Sequence, residues 1–193
     1  MILKKKSFYR FKIEGFTVGE KLSRFYPPKT IKKNIINEVP NSNKKFIQSG
    51  YYEHYDNKET KFLEEFDQIC FFYKPNDKNF IIHAVSAIYF CKKQKDRNDF
   101  VKTYEKKIDY DWGDLLKKSK QIYKYPNKYP YGKGSKSLMT YYQFPTYNYN
   151  NDLILISNKS YAKDANSNWG NNVEVTYMTF EFNDWLAKHT SKY

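Results

Sequence analysis

The most constraining feature of the sequence is an apolar stretch, Ile81–Phe90, in which both alternating sets of residues are largely apolar. A strand with one solvent-facing side alternates apolar and polar residues, so this stretch predicts a central strand buried on both faces. A second strand-like segment, Phe66–Lys74, precedes it across a turn rich in Asn and Asp. The two segments together predict an antiparallel hairpin in the middle of a sheet.

Two segments carry the signals of helix starts. A T-x-x-E capping box begins at Thr17 and predicts a helix that ends at the Pro27-Pro28 pair. Asp96 is placed to cap a second helix, in which apolar residues recur at helical spacing and which Gly113 should interrupt.

The complete order of elements predicts an α+β fold. The remaining strands are expected at Phe46–Tyr55, Leu138–Tyr147, Asp152–Tyr161 and Val173–Phe182. The order is then α-β-β-β followed by α-β-β-β, which predicts an antiparallel sheet with two main helices on one face. We expect one domain, 1–193, and the order suggests that its halves, 1–92 and 93–193, are tandem units.

Aromatic residues have to supply much of the core. Hydrophobic residues make up 40% of the chain, and that figure includes 20 Tyr and 15 Phe. Each buried ring removes ~150–250 Å² of surface from water, so these rings provide enough area for a core. The Tyr hydroxyls then have to find hydrogen-bond partners or reach solvent.

The two cysteines are predicted to be free thiols. Pairing about the hairpin turn places Cys70 opposite residues near position 84, so Cys91 lies ~20 Å further along its strand. A disulfide needs Cα atoms within ~7 Å of each other. No apolar run is long enough for a membrane span, and the basic start lacks the apolar region of a signal peptide. We therefore expect a soluble, cytoplasmic protein.

A basic, aromatic segment is the strongest indication of function. Between Leu116 and Asn151 the chain has no Asp or Glu, although its formal net charge is +13. Segment 117–137 has no hydrophobic periodicity and contains Pro and Gly, which predicts a long loop. The candidate partner-binding residues are its lysines and tyrosines: Lys117, Lys118, Lys120, Tyr123, Lys124, Tyr125, Lys128, Tyr129, Tyr131, Lys133 and Lys136.

Two functions fit this segment. We favour protein–protein recognition through a Tyr/Lys-rich surface, because Tyr anchors interfaces at a low entropic cost. The alternative is nonspecific binding of single-stranded nucleic acid, in which lysines contact phosphates and tyrosines stack on bases. Against that alternative, arginine, which commonly reads bases, is absent after Arg97. Codon bias toward Lys, Asn and Tyr is a further explanation of the composition that requires no function.

No motif indicates catalysis, a metal or a cofactor. His54, His83 and His189 lie on three distant segments without the paired spacing of a metal site. Gly132–Gly134 lacks the spacing of a phosphate-binding P-loop, although two glycines beside a lysine are typical of a looser anion nest. We therefore expect a non-enzymatic binding protein that has no cofactor and no membrane span, with a protein partner or, alternatively, a polyanion.

The start of the chain resembles a known group of proteins. Phe11–Glu20 contains Ile13-Glu14-Gly15 and Gly19, and it is followed by Ile31-Lys32-Lys33-Asn34 and the Phe66–Phe90 hairpin. These segments are similar to a family of small uncharacterised bacterial proteins, which implies an α+β order and no particular chemistry. The chain departs from that family's pattern at Glu20-Lys21, where an acidic residue followed by serine is expected. In topology the chain also resembles β-lactamase-inhibitor-like and outer-membrane-assembly-lipoprotein modules, which are binding proteins.

Overall fold

The computed structural model describes residues 11–36, 46–53, 63–128, 130–144, 152–165 and 170–190. These ranges form one antiparallel sheet in the order β1-β2-β3-β4-β8-β7-β6-β5. The strands are β1 (Ile35–Ile36), β2 (Ile47–Glu53), β3 (Gln68–Tyr73), β4 (Ala84–Phe90), β5 (Lys117–Lys124), β6 (Lys136–Gln143), β7 (Leu153–Ser160) and β8 (Asn172–Met178). The α-helices are α1 (Pro28–Lys33), α2 (Gln94–Trp112) and α3 (Phe180–Thr190). The fold is α+β, as the sequence predicts.

The two halves of the chain share a helix followed by four strands, and the second half adds α3 at its end. Each contributes a helix followed by a four-stranded meander, and the last strands, β4 and β8, pair at the centre of the sheet. Their register runs from Ala84 opposite Met178 to Phe90 opposite Asn172. Each half therefore has one strand more than the predicted α-β-β-β unit. That the halves are copies of one unit stays a prediction.

The two longest helices, α2 and α3, lie on opposite faces of the sheet, whereas Ile31 of α1 packs in the same cluster as α2. On the helix face, defined as the face that α2 covers, Tyr104 and Ile108 of α2 pack with Val85 and Val175. On the back face, Trp185 of α3 belongs to a separate cluster that includes Ala84 of β4 and Met178 of β8. Successive strand residues point to opposite faces, so one sheet can serve both clusters. The N-terminal segment also packs on the helix face, where a second long helix was expected.

The segment after Thr17 is not an α-helix, which corrects the capping-box prediction. Only a 3-10 turn, Leu22–Arg24, forms there. The N–H of Gly19 donates to the carbonyl of Ile82 over 2.7 Å, so the backbone bonds of this segment go to a distant strand. Pro28 begins α1 instead of ending a helix, because the missing N–H of proline costs nothing at the first helical position.

Three further local predictions agree with the structure, whereas the predicted N-cap at Asp96 does not. The pairing of β2 with β3 shifts register between Ser49 and Tyr52, which is the bulge expected around Gly50. β4 is central, and its first four residues are buried. α2 ends just before Gly113, and Asp96 lies in its first turn rather than at its N-cap.

Both cysteines are thiols, as predicted, and neither belongs to a disulfide. Cys70 is buried on β3 and lies opposite Ser86 of β4. Cys91 follows the end of β4, so the strand register keeps the two sulfur atoms apart.

Segment 117–137 begins and ends in strands, which corrects the prediction that all of it is a loop. It contains all of β5 and the start of β6, and their register runs from Lys117 opposite Gln143 to Lys124 opposite Lys136. The connection 125–135, about half of the segment, lies outside regular strands. The eight residues of β5 are all exposed, so the strand has no buried side to leave an alternating apolar pattern in the sequence.

A tight turn at Glu14 and Gly15 holds the N-terminal segment in place. Both residues have positive φ, +50° and +81°, and Ile13 and Phe16 exchange two backbone hydrogen bonds across them. The Glu14 carboxylate accepts hydrogen bonds from the backbone N–H groups of residues 64–66, the shortest at 2.7 Å. A non-glycine residue at positive φ is strained, so these three donors offset a local cost.

Glu14→Ala is expected to destabilise the fold by about 2 kcal/mol, because it leaves backbone donors without a charged acceptor and keeps the strained φ. Glu14→Gln retains one acceptor oxygen and should lose about half as much. Urea unfolding followed by circular dichroism measures both values. Equal stability of Glu14→Ala and the wild type would contradict the assigned role.

Candidate functional site

β5 lies at one edge of the sheet. It pairs with β6 on one side, and in the described part of the chain no strand pairs with its other side. The N–H of Tyr125 donates to the carbonyl of Ser135, which continues the β5–β6 ladder through the odd-numbered residues. The backbone N–H and C=O groups of the even-numbered residues therefore point outward, at Lys118, Lys120, Ile122 and Lys124.

The side chains of the same four residues point to the helix face. Lys118 lies 2.9 Å from Asp109, and Lys120 lies 2.9 Å from Glu105, both residues of α2. Thr140 of β6 also donates to Glu105 over 2.7 Å. These contacts attach α2 to the edge of the sheet.

The Glu105 carboxylate is stabilised in its charged form by these contacts. Burial by itself would raise the pKa of Glu105, but the hydrogen bonds from Lys120 and Thr140 and the charge of Lys118 outweigh burial and lower the pKa. Lys118 and Lys120 are thus locally neutralised, and they do not contribute free positive charge to a partner.

Four of the five other lysines of the predicted site lie at the end of β5 that leads into β6, or on the connection between these strands. In the described ranges, Lys118 and Lys120 are the only lysines of the set that form ion pairs. The exposed remainder consists of Lys117, Lys124, Lys128, Lys133 and Lys136. The free positive charge is therefore concentrated near the β5–β6 connection, where four of these five lysines lie.

Lys124 and Lys136 face each other directly. They are cross-strand partners in the β5–β6 register, at a pair that exchanges no backbone hydrogen bonds. Side chains approach most closely at such pairs, and like charges directly opposite each other are destabilising. No carboxylate in the described ranges forms an ion pair with either lysine, so two like charges face each other here without a counter-charge.

The tyrosines of the predicted site pack mainly against one another. Tyr125 stacks on Tyr131 with ring centroids 4.9 Å apart, and it also contacts Tyr123 and Tyr161. Tyr125 is half-buried, and this burial raises the pKa of its hydroxyl. Of the tyrosines predicted to bind a partner, only Tyr123 is exposed among those that the structure describes, and Tyr129 lies outside them.

A groove runs beside the open edge on the helix face, and sequence reasoning missed it. It has a volume of about 470 Å³ and lies between α2 and strands β5 and β6. Val101 and Glu105 line one side, and Ile122 and Leu138 line the other. Ile122 is 62% exposed and Leu138 is 42% exposed, and the two are cross-strand partners. The single isoleucine within the lysine run was the only signal of this apolar spot in the sequence.

The anion nest predicted at Gly132–Gly134 is already filled by the protein. The N–H of Lys133 donates to both carboxylate oxygens of Asp164 at 3.2 Å, and the N–H of Gly134 donates to Asn127. Gly132 has a φ of +76°, and a Cβ there would approach the Asp164 carboxylate to 2.6 Å. The glycines therefore serve a close internal contact and leave no room for an external anion.

The described residues contain no group of three or more His, Cys, Asp and Glu side chains arranged for a metal. His83 lies 3.7 Å from Glu181 and contacts the ring of Phe46, while His54 lies outside the described ranges. Within those ranges no helix has the length and apolar character needed to cross a membrane.

Comparison with protein-family models, with curated proteins and with solved structures found no significant match. The resemblance of Phe11–Glu20 to small bacterial proteins stays a prediction. No residue role can be carried over from a relative, so the function is argued from the open edge, its charges and the adjacent groove.

Proposed function

We propose that the protein binds other proteins by adding an extended segment of the partner as a ninth strand at the outer edge of β5. The observation that carries this proposal is the edge itself, an eight-residue strand that is exposed at every position. An added strand gains main-chain hydrogen bonds with the outward groups of the even-numbered residues, a recurring mode of peptide recognition.

The surroundings of β5 support the binding of a partner strand, in addition to the exposure of β5 itself. Lysines on an edge strand also discourage edge-to-edge aggregation, so their charge alone would explain an edge strand that does not pair with another chain. The groove beside Ile122 and Leu138 is not explained in that way, because exposed apolar side chains weaken protection against aggregation. Alternate side chains of an added strand would point into this groove, which combines backbone pairing with a side-chain pocket.

Nucleic-acid binding stays a prediction with less support from the geometry. The stacked rings of Tyr125 and Tyr131 occupy faces that unpaired bases would need. Two of the seven lysines are neutralised by α2. Single-stranded oligonucleotides therefore serve as a competing ligand in the test of the proposal.

Replacing Ile122 with proline tests strand addition directly. The N–H of Ile122 points outward, so Ile122→Pro removes one donor from the open edge and leaves the β5–β6 ladder intact, a setting in which strands tolerate proline. Peptides selected from a displayed random library against the full chain should bind the variant about tenfold more weakly, or worse, because the partner loses a hydrogen bond and meets the ring. Calorimetric titration measures the affinity.

Ile122→Thr is the matched control, because it also removes the isoleucine side chain but keeps the N–H. It should bind better than Ile122→Pro, and amide hydrogen exchange in the complex should show protection at Lys120 and Ile122. The proposal is overturned if proline and threonine have equal effects, if protection lies elsewhere, or if the library yields no binder. Binding of oligonucleotides at the same amides would favour the nucleic-acid alternative instead.

A further inference from the structure

Building on the proposed function, we infer that the segment added at β5 is acidic, with a carboxylate opposite Lys124 and an apolar side chain opposite Ile122. The partner is therefore defined by a short pattern in which an acidic and an apolar residue are two positions apart. The acidic residue is inferred from the cross-strand pair that contains Lys124, and the apolar residue from the pair that contains Ile122.

The row that contains Lys124 calls for negative charge. Lys124 and Lys136 are like charges at a closely spaced cross-strand pair, and the described part of the chain supplies no carboxylate to them. A carboxylate on the added strand opposite Lys124 would lie one strand from Lys124 and two strands from Lys136, and it would supply the missing counter-charge. The exposed Lys128 and Lys133 on the nearby connection add to the attraction.

The row that contains Ile122 calls for an apolar side chain. Ile122 and Leu138 face each other beside the groove, and both are exposed. An apolar side chain opposite Ile122 would cover them and enter the groove toward Val101. The next rows, at Lys120 and Lys118, are already neutralised by Glu105 and Asp109, so they require no further charge.

A second copy of the same chain is a poor occupant of this edge. An antiparallel copy of β5 centred on Gln121 would place Lys118 of one chain opposite Lys124 of the other. Like charges directly opposite each other destabilise a strand pair, and this arrangement would repeat the repulsion that Lys124 and Lys136 already have.

The probe is a capped, threonine-rich peptide with one isoleucine and, two positions from it, Glu, Gln or Lys. The peptide is made in both orders, because parallel and antiparallel addition place the charged residue on opposite sides of the isoleucine. Amide chemical shifts of the full chain are followed by NMR during titration, which detects weak binding. The Glu peptide should bind about fivefold more tightly than the Gln peptide, and the Lys peptide more weakly than either.

Variants of the chain identify the lysines responsible. The double change Lys124→Gln and Lys136→Gln should abolish the preference for Glu over Gln. Lys117→Gln is the matched control: it also removes one β5 charge, but its side chain lies on the back face, so the preference should remain. Raising the salt concentration should reduce the preference in the wild type, because these charges are exposed.

The outcomes separate this inference from the proposed function. If all three peptides shift the amides of Lys120 and Ile122 equally, the acidic pattern is overturned while strand addition stands. If no peptide shifts those amides, strand addition itself fails, and the inference fails with it. A dimer detected by light scattering, with hydrogen exchange showing protection at the same amides, would identify a second copy of the chain as the occupant. That result would overturn the inference of an acidic partner.

Discussion

Arg97→Met is expected to destabilise the fold by about 3 kcal/mol, because it leaves several buried hydrogen-bond acceptors without a donor. Arg97 is 2% exposed, and its guanidinium donates to the carbonyl oxygens of Cys91 and Lys92 at 2.7 and 2.8 Å. It also donates to Asn158 and Ser160 of β7. The residue thus joins the end of β4, the start of α2 and β7. Chemical unfolding monitored by circular dichroism measures the loss.

The environment of Arg97 is unusual because its acceptors are neutral. In the described ranges no carboxylate forms an ion pair with it, and it lies in the first turns of α2, where the helix dipole disfavours a cation. Burial lowers the pKa of Arg97. Hydrogen bonds therefore hold the charge in place. Arg97→Lys keeps the charge but not the fork of donors, so an intermediate loss is expected. Unchanged stability of Arg97→Met would show that these bonds contribute nothing net.

Lys159→Met is expected to cost about 3 kcal/mol at neutral pH, because it leaves the Glu174 carboxylate charged in a largely buried place. Lys159 and Glu174 form an ion pair on the back face, with side chains 20% and 23% exposed. The hydroxyl of Ser86 also donates to Glu174, and it lies 2.9 Å from the hydroxyl of Thr176. The pair connects β7 with β8, and the serine extends the contact to β4.

The pH dependence of this loss has a definite sign. Burial by itself would raise the pKa of Glu174, but the charge and hydrogen bonds of Lys159 and Ser86 lower it below the usual value. The wild type therefore gains stability above the unfolded-state pKa and loses that gain as the pH falls through the folded-state pKa. Without Lys159 the pKa of the Glu174 carboxyl is raised. Protonation of Glu174 then removes the unpaired buried charge, and the variant regains stability as the pH falls. The stability difference should shrink between about pH 7 and about pH 4.

A double variant separates charge from packing in this pair. Lys159→Met combined with Glu174→Leu replaces the ion pair by apolar side chains, a change that is often close to neutral. Most of the loss should be recovered, and the pH dependence should disappear. A double variant as unstable as the sum of both single changes would contradict the assignment, because independent sites add their effects.

Local signals in the sequence account for the central part of the fold. The two-sided apolar character of Ile81–Phe90 predicts the central strand β4, and the Asn/Asp turn before it predicts the β3–β4 hairpin. The break of α2 at Gly113 and the bulge near Gly50 follow from glycine in the same way. Each of these features depends on residues close together in the chain, and for that reason local patterns predict them.

The errors occur where distant contacts override local preference. The capping box at Thr17 is compatible with a helix, but the backbone of that segment bonds to Ile82 instead. β5 carries Lys and Ser at most positions and lacks alternation, yet pairing with β6 makes it a strand. A short helix is marginally stable on its own, so it does not outweigh hydrogen bonds to a distant strand. For an exposed strand, residue propensity predicts strand formation only weakly.

The sequence by itself determined the composition of the candidate site, its seven lysines and its tyrosines, because a run of charge without acids is visible in one dimension. Only the tertiary structure decided which of these residues face outward together. It placed β5 at the open edge, neutralised Lys118 and Lys120 with α2, and set Lys124 against Lys136. The physical reason is that hydrogen-bond partners, counter-charges and grooves are set by neighbours in space, and here they come from other strands and a helix.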